Sequence, residues 1–213
     1  MKKIAVLGTG EVGQVLARGF ILDNYPVMVG SRDGAKAARL DVVMEQDINT
    51  GTFREVASWG DIIILAVKGS AVEGLAGELA DVLAGKIVID VTNPVSDDAP
   101  EDGVIRFFTS PSTSLGELVQ AAATAARVVK AWNSVGHRFM INPEFDSRPT
   151  MPICGNDEVA RKQVAEIVAS FGWDVEDMGT MKAARAIEPL SILWCIPGFL
   201  RNEWNHAFKI LKQ

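Results

Sequence analysis

Residues Lys2 to Gly13, KKIAVLGTGEVG, leave few folds open to this chain. Ile4 to Leu7 is an apolar run of strand length, and Gly8-Thr9-Gly10-Glu11-Val12-Gly13 follows it as G-x-G-x-x-G. A helical pattern begins at once, with Val12, Val15, Leu16, Gly19 and Phe20 recurring every three to four residues. In a strand-turn-helix setting each glycine has a physical reason: a tight turn at Gly8, close approach of backbone to a diphosphate at Gly10, and close helix-strand packing at Gly13. Unpaired N–H groups and the positive end of the helix dipole favour an anion there. Gly8, Thr9, Gly10, Glu11, Val12 and Gly13 are therefore the expected contacts of a dinucleotide.

The second strand, Val27 to Val29, runs into Gly30-Ser31-Arg32. A fold that binds NAD usually ends this strand in an acidic residue that takes the ribose hydroxyls. Here Ser31 and Arg32 stand at the place, Lys36 follows in a short helix, and Thr9 faces them from the glycine turn. A hydroxyl and a guanidinium suit a 2′-phosphate, so the pattern predicts NADP.

Strand and helix then alternate. Phe53 to Ser58 reads as a helix and Asp61 to Val67, DIIILAV, as a strand buried on both faces. Val72 to Leu83 reads as a helix, Lys86 to Val91 as a strand, Ser114 to Ala125 as a helix and Arg127 to Ala131 as a strand. Further strands are expected at Met151 to Cys154 and Trp173 to Val175. The helix between them is expected to be capped by Asn156 and to bury Val159, Val164, Ile167, Val168 and Phe171. This alternation predicts an α/β, Rossmann-type, doubly wound and mainly parallel sheet. Ligands of such sheets lie outside the carboxyl ends of the strands. That rule selects Ala66-Val67-Lys68, Thr92-Asn93-Pro94, and the loop containing Asn133, Val135 and His137. Asn93-Pro94 is equally a plain turn, and His137, one of two histidines, is either a general acid or a structural residue.

Past Gly179 the alternation stops. Residues 1–179 are expected to form the nucleotide-binding domain, and 180–213 a small helical appendage covering the acceptor side, pairing with a second subunit, or both. This segment is expected to be broken at Pro189 and Pro197 and to carry Leu200, Trp204, Ala207, Phe208 and Leu211 on one face.

A net charge of −6 argues against nucleic acid or an anionic membrane as partner. Cys154 and Cys195 lie far apart in apolar surroundings, which points to a reducing compartment and to no metal or disulfide framework. The N-terminal apolar run is broken too early for a signal peptide. The most apolar later run, Ile187 to Leu200, contains Glu188 and two prolines and is too short to span a bilayer. A cytoplasmic protein, homodimeric and acting on a small molecule, is the expectation.

GTGEVG, VMVGSR at the second strand, VTNPVS after Val91, VVKAWN at Val128 to Asn133, MPICGN at Met151 to Asn156, and DMGTMKAAR with Glu188 occur in that order along nearly the whole chain. Together they resemble the NADPH-dependent reductases of the deazaflavin coenzyme F420 and the related cytosolic reductase domain of six-transmembrane metalloreductases. The resemblance implies that Thr9, Ser31 and Arg32 hold the NADP phosphate, and that the loops at Val67-Lys68, Thr92 to Pro94 and Asn133 to His137 surround nicotinamide and acceptor. It implies coenzyme F420 or a flavin, FMN or FAD, as acceptor. The archaeal deazaflavin enzymes carry histidine at the position of Asn133, and proline and alanine at those of Gly136 and His137. Lys130-Ala131-Trp132-Asn133 is closer to the metalloreductase domain, whose acceptor is a flavin, so both acceptors stay open.

Hydride transfer between such rings asks the protein to stack them and exclude water rather than to supply a nucleophile. No catalytic side chain is required by this reading; Asn133 and His137 are the candidates. Two other readings are a hydroxyacid dehydrogenase using Lys130 and Asn133, and a non-catalytic NADP(H) sensor whose aromatic tail meets a partner. Arg185 and Glu188 either border the acceptor pocket or form an ion pair on a helix surface.

Overall fold

A computed structural model describes residues 1–33 and 48–213. Eight strands form one sheet in the order β3-β2-β1-β4-β5-β6-β7-β8: β1 (Ile4–Leu7), β2 (Val27–Ser31), β3 (Asn49–Thr52), β4 (Ile62–Leu65), β5 (Ile87–Asp90), β6 (Arg127–Lys130), β7 (Thr150–Gly155) and β8 (Asp174–Asp177). All neighbours are parallel except β6 and β7, which meet antiparallel at Val129 with Gly155 and Lys130 with Cys154. The fold is the expected α/β, Rossmann-type, doubly wound sheet.

The apolar runs explain the centre. β1, β4 and β5 are buried at every position, and alternate residues serve opposite faces. Ile4 and Val6 pack with Leu16 and Phe20 of α1 (Glu11–Leu22) and with Val164 and Val168 of α6 (Glu158–Ser170). Ala5 and Leu7 pack on the other face with Val56 of α2 (Phe53–Trp59), Leu75 of α3 (Gly69–Glu78), Leu83 of the single-turn α4 (Ala80–Leu83) and Val119 of α5 (Leu115–Ala122).

Several local expectations are corrected. β3 is NTGT, small and polar, and carries no apolar alternation; it exists because it pairs with the edge of β2, from Met28 with Asn49 to Ser31 with Thr52. The cap of α6 is Asp157, whose Oδ1 accepts from Ala160 N, whereas Asn156 Oδ1 accepts from Met181 N. Val159 is exposed on that helix, and Ala160 lies in its buried stripe instead.

The prolines do not break the last segment. A one-turn 3-10 helix (Met181–Ala183), α7 (Ala184–Ile187) and α8 (Leu190–Arg201) follow one another, with Pro189 before α8 and Pro197 inside it. The run Met181–Arg201 has 21 residues, and an 18-residue window within it has mean hydropathy 1.2, so by length and composition it is long and apolar enough to cross a membrane, contrary to the expectation from Ile187 to Leu200. Glu188, in the middle of it, is buried against the sheet. Beyond Asn202, which ends α8 in a left-handed conformation, the tail is not helical. It folds back so that Trp204 and His206 pack on Trp194, and Phe208 O accepts from Thr150 N. The single apolar face expected through Leu211 is absent, and Leu211 is exposed.

Candidate functional site

The strand order reverses between β2-β1 and β4-β5, and a cleft of about 940 Å³ opens at the carboxyl ends beside that reversal. Gly8, Thr9 and Gly10 line it from β1, Ser31 and Arg32 from β2, and Ala66, Val67 and Lys68 from β4. The structure thus brings together eight of the residues selected from sequence. Asp33, Phe53, Ala71, Gly74, Leu75 and Glu78 complete the wall. Phe53, at the start of its helix, reaches the cleft because β3, whose polar residues carry no apolar signature, delivers it to the carboxyl edge of the sheet. The α3 residues lack any chemical signal of their own and reach the cleft only because the helix begins at Gly69.

The glycine turn is built by close approach. Gly8 has φ of +139°, and a β-carbon there would lie 2.1 Å from Ala66 O. At Gly13 a β-carbon would lie 2.2 Å from Gly8 O. Gly10 differs, since a β-carbon there meets nothing within 4 Å. Its side chain position faces the open space of the cleft. α1 starts at Glu11 with no side chain capping it, so its first N–H groups are free for an anion. Gln14 Nε2 donates to Thr9 O at 2.8 Å and Gly8 N to Gly30 O at 3.1 Å, which fixes the turn from two sides. These features fit a dinucleotide diphosphate.

At the end of β2, Ser31 is buried and its hydroxyl makes a long contact of 3.5 Å to Asp33. Arg32 is exposed and forms no ion pair among the described residues. Lys36 lies outside the described residues. Lys68, on the opposite wall, is paired with Asp97 from the acidic loop after β5.

The other selected loops converge at the carboxyl ends of β5 and β6, but as a braced network. Thr92 N and Oγ1 both donate to Asp90 Oδ1, at 2.9 and 2.7 Å. Asn93 Nδ2 donates to Asn133 O at 2.7 Å, and Asn133 Nδ2 donates to Asn93 Oδ1 and to Ile187 O, both at 3.1 Å. Asn133 is 2% exposed and uses both amide hydrogens as a brace, while its buried Oδ1 has no hydrogen-bond partner among the described residues. Pro94 and Val135 are buried beside it. His137 begins a one-turn 3-10 helix and its Nδ1 lies 3.5 Å from Glu11 Oε2 at the start of α1. It therefore stands over the glycine turn rather than over the Asn93-Asn133 pair.

Lys130 overturns the hydroxyacid dehydrogenase reading. It is fully buried, with Nζ 2.7 Å from Asp90 Oδ2, 2.9 Å from Glu188 Oε1 and 2.8 Å from Thr92 O. Lys130 and Asp90 Oδ2 meet as a fully buried ion pair. Burial by itself lowers the ammonium pKa, but the carboxylates of Asp90 and Glu188 outweigh it and hold the pKa above its ordinary value. Such a group neither meets substrate nor gives up a proton. Arg185 and Glu188 do not pair with each other: Arg185 grips Glu117 at 2.7 and 2.8 Å, and Glu188 turns inward to Lys130. Among the described residues no group of His, Cys, Asp and Glu could hold a metal ion.

Residues 3–94 match the family described as NADP oxidoreductase, coenzyme F420-dependent. The chain is 31% identical over 203 residues to the metalloreductase STEAP3 of Rattus norvegicus, covering 93% of this chain and 39% of that protein's length. It is 29% identical over 203 residues to the F420-dependent NADP reductase of Methanocaldococcus jannaschii, covering 90% of each. The crystal structure of a putative F420-dependent NADP reductase from Arthrobacter sp. superposes with a TM-score of 0.90 at 30% identity, over the full length of both chains. Imine and pyrroline-5-carboxylate reductases share the fold at lower identity.

Proposed function

The chain belongs to the family of coenzyme F420-dependent NADP oxidoreductases and is an NADP-dependent oxidoreductase; from that premise we propose that it passes hydride between NADP(H) and a flavin-like acceptor, either the deazaflavin F420 or a flavin such as FMN or FAD. The observation that carries the reading is the cleft itself, in which the open backbone at Gly10 and the uncapped start of α1 lie beside Ser31 and Arg32, the latter without an ion pair among the described residues.

In this reading the first-turn amides from Gly10 to Gly13 hold the diphosphate, with the helix dipole favouring its charge. Thr9, Ser31 and Arg32 take the 2′-phosphate, Arg32 by its planar fork of donors. Ala66, Val67 and Lys68 border the ribose, and the braced Thr92-Asn93-Pro94 and Asn133-to-His137 loops bound the reacting side. The bound nicotinamide supplies the hydride chemistry, and the protein orients it and keeps water out. Residues 180–213 close the acceptor side and present Leu193, Phe199 and Leu200, exposed on α8, to a second copy of the chain in a homodimer. A cytoplasmic setting with a small-molecule acceptor and neither nucleic acid nor membrane as partner is supported by the net charge of −6 and two unpaired cysteines.

Stopped-flow mixing of the protein and NADPH with F420, FMN and FAD in turn tests the reading. Loss of reduced-nicotinamide absorbance is expected with at least one. Tight binding of both NADPH and NADP without turnover by any acceptor would overturn the reaction and leave a cofactor sensor.

A further inference from the structure

Behind the loops that bound the reacting side lie three charges that hydride transfer does not require. Asp90 ends β5, Lys130 ends β6 and Glu188 stands between α7 and α8; all are buried. Their bonds to main chain are what sets them apart from an ordinary ion cluster. Asp90 Oδ1 receives Thr92 N and Oγ1, while Lys130 Nζ donates to Thr92 O, so one residue is held at its amide, hydroxyl and carbonyl by a single charge pair. Glu188 Oε2 accepts from Leu115 N at 2.9 Å and Oε1 from Gly116 N at 2.8 Å, at the start of α5.

From Thr92 the restraint passes outward. A β-carbon at Gly69 would lie 1.9 Å from Asn93 O, so the loop is seated against the start of α3, one residue beyond Lys68 in the cleft. The Asn93 side chain is tied to Asn133, and Asn133 to Ile187 O, the residue before Glu188. The circuit therefore returns to its own third member. Between Lys130 and Asn133, the fully buried Trp132 is held at φ of +56°, a left-handed conformation that a tryptophan keeps only where its surroundings impose it. Buried ion pairs are poor sources of stability compared with apolar packing, so a cluster that costs desolvation and repeatedly grips main chain is better explained by the geometry it imposes.

We propose that Asp90, Lys130 and Glu188 are positioning residues that lock the Thr92-to-Pro94 loop and the C-terminal helical run in register at the hydride-transfer side of the cleft. The proposal rests on the functional reading above for its effect on rate, but not for its effect on structure. A rigid loop helps the transfer step and not nucleotide capture, which takes place at the glycine turn; misplacement by about 1 Å costs reaction rate on the order of a hundredfold.

The test is Glu188→Gln in the full chain. Glutamine keeps the volume but turns one acceptor oxygen into a donor facing Leu115 N or Gly116 N, and it leaves Asp90 and Lys130 as a balanced pair. Hydrogen–deuterium exchange is expected to speed up at residues 92–93 and 115–116 while β1 stays as protected as in wild type. With the acceptor that wild type uses, kcat is expected to fall about ten- to hundredfold, with the Kd for NADPH changed by no more than about twofold. Unchanged exchange at 92–93 overturns the proposal, and so does unchanged kcat or an equal loss in kcat and NADPH affinity. Should Glu188→Gln fail to fold, Asp90→Asn, which keeps an acceptor for Thr92, is read by the same measurements. Wild-type protein that reduces no acceptor counts against the proposed function alone, because the exchange pattern still judges the triad.

Discussion

Gly8 and Gly10 stand two residues apart and are glycines for different reasons. At Gly8 a side chain would strike Ala66 O within the protein, in a backbone conformation that other residues rarely adopt. At Gly10 it would strike nothing but a ligand. Gly8→Ala is therefore expected to lower the melting temperature, whereas Gly10→Val should leave melting unchanged and weaken NADPH by more than about tenfold, or roughly 1.4 kcal/mol, in a titration. A stability loss at Gly10 equal to that at Gly8 would contradict the distinction. Arg32 permits a sharper test because it has no ion-pair partner among the described residues to lose. Arg32→Ala should weaken NADPH by about 1.5–3 kcal/mol and NADH hardly at all. Equal losses for the two cofactors would remove Arg32 from the 2′-phosphate. Cys154 needs no functional role, since burial pushes its thiol up to about 12 and leaves no thiolate at neutral pH.

At the scale of elements, α5 gathers more than its eight residues suggest. Ser114 and Glu117 close a reciprocal cap, Ser114 Oγ receiving Glu117 N at 3.2 Å and Glu117 Oε2 receiving Ser114 N at 3.0 Å. The same turn offers Leu115 N and Gly116 N to Glu188. α5 is thus the platform on which the C-terminal run is docked, and a β-carbon at Gly116 would lie 2.7 Å from Met181 Sδ. Ser114→Ala is expected to lower stability by about 1 kcal/mol, read as a shift in urea midpoint at constant m-value. At the far end of the run, Gly136 lets Trp194 approach, and a β-carbon there would lie 2.4 Å from the indole. Trp194 Nε1 in turn donates to His206 O, which pins the returning tail.

For the whole molecule, the ion pair of Arg185 with Glu117 joins the C-terminal run to the sheet's helical layer. The Arg185 guanidinium, helped by Ser114 against the opposing effect of burial, holds the Glu117 carboxyl down at about 2, below its ordinary 4.5. A carboxyl depressed in the folded state adds stability above the unfolded pKa, and that stability is lost as pH falls from 4.5 through about 2. Because both partners are partly exposed, solvent screening keeps the contribution small. Arg185→Gln should melt below wild type at neutral pH, with the difference shrinking toward zero near pH ~2. A difference that is constant across that range would mean that the side chain acts by packing alone.

The local chemistry of β1, β4 and β5, with their unbroken apolar runs, and of the glycine turn between β1 and α1 was legible in order and nearly in register, because burial on both faces and a forced backbone conformation leave marks on consecutive residues. So was the place of Ser31 and Arg32, which follows from the end of a strand. β3 was not legible, since an edge strand of small polar residues is held by its neighbour and not by its own pattern. Nor were the continuity of the run through Pro189 and Pro197, or the return of the tail over Trp194. The roles of Lys130, Asn133 and Glu188 show the division most clearly: sequence offered Lys130 and Asn133 as dehydrogenase groups and Glu188 as either a border of the acceptor pocket or a surface ion-pair partner, but the two charges and the Asn133 amide hydrogens are taken by groups 38 to 73 positions away, from Thr92 to Lys130 and from Leu115 to Glu188. Short-range order is written in neighbouring residues, whereas the partner of a buried charge is chosen only when the sheet brings distant strand ends together.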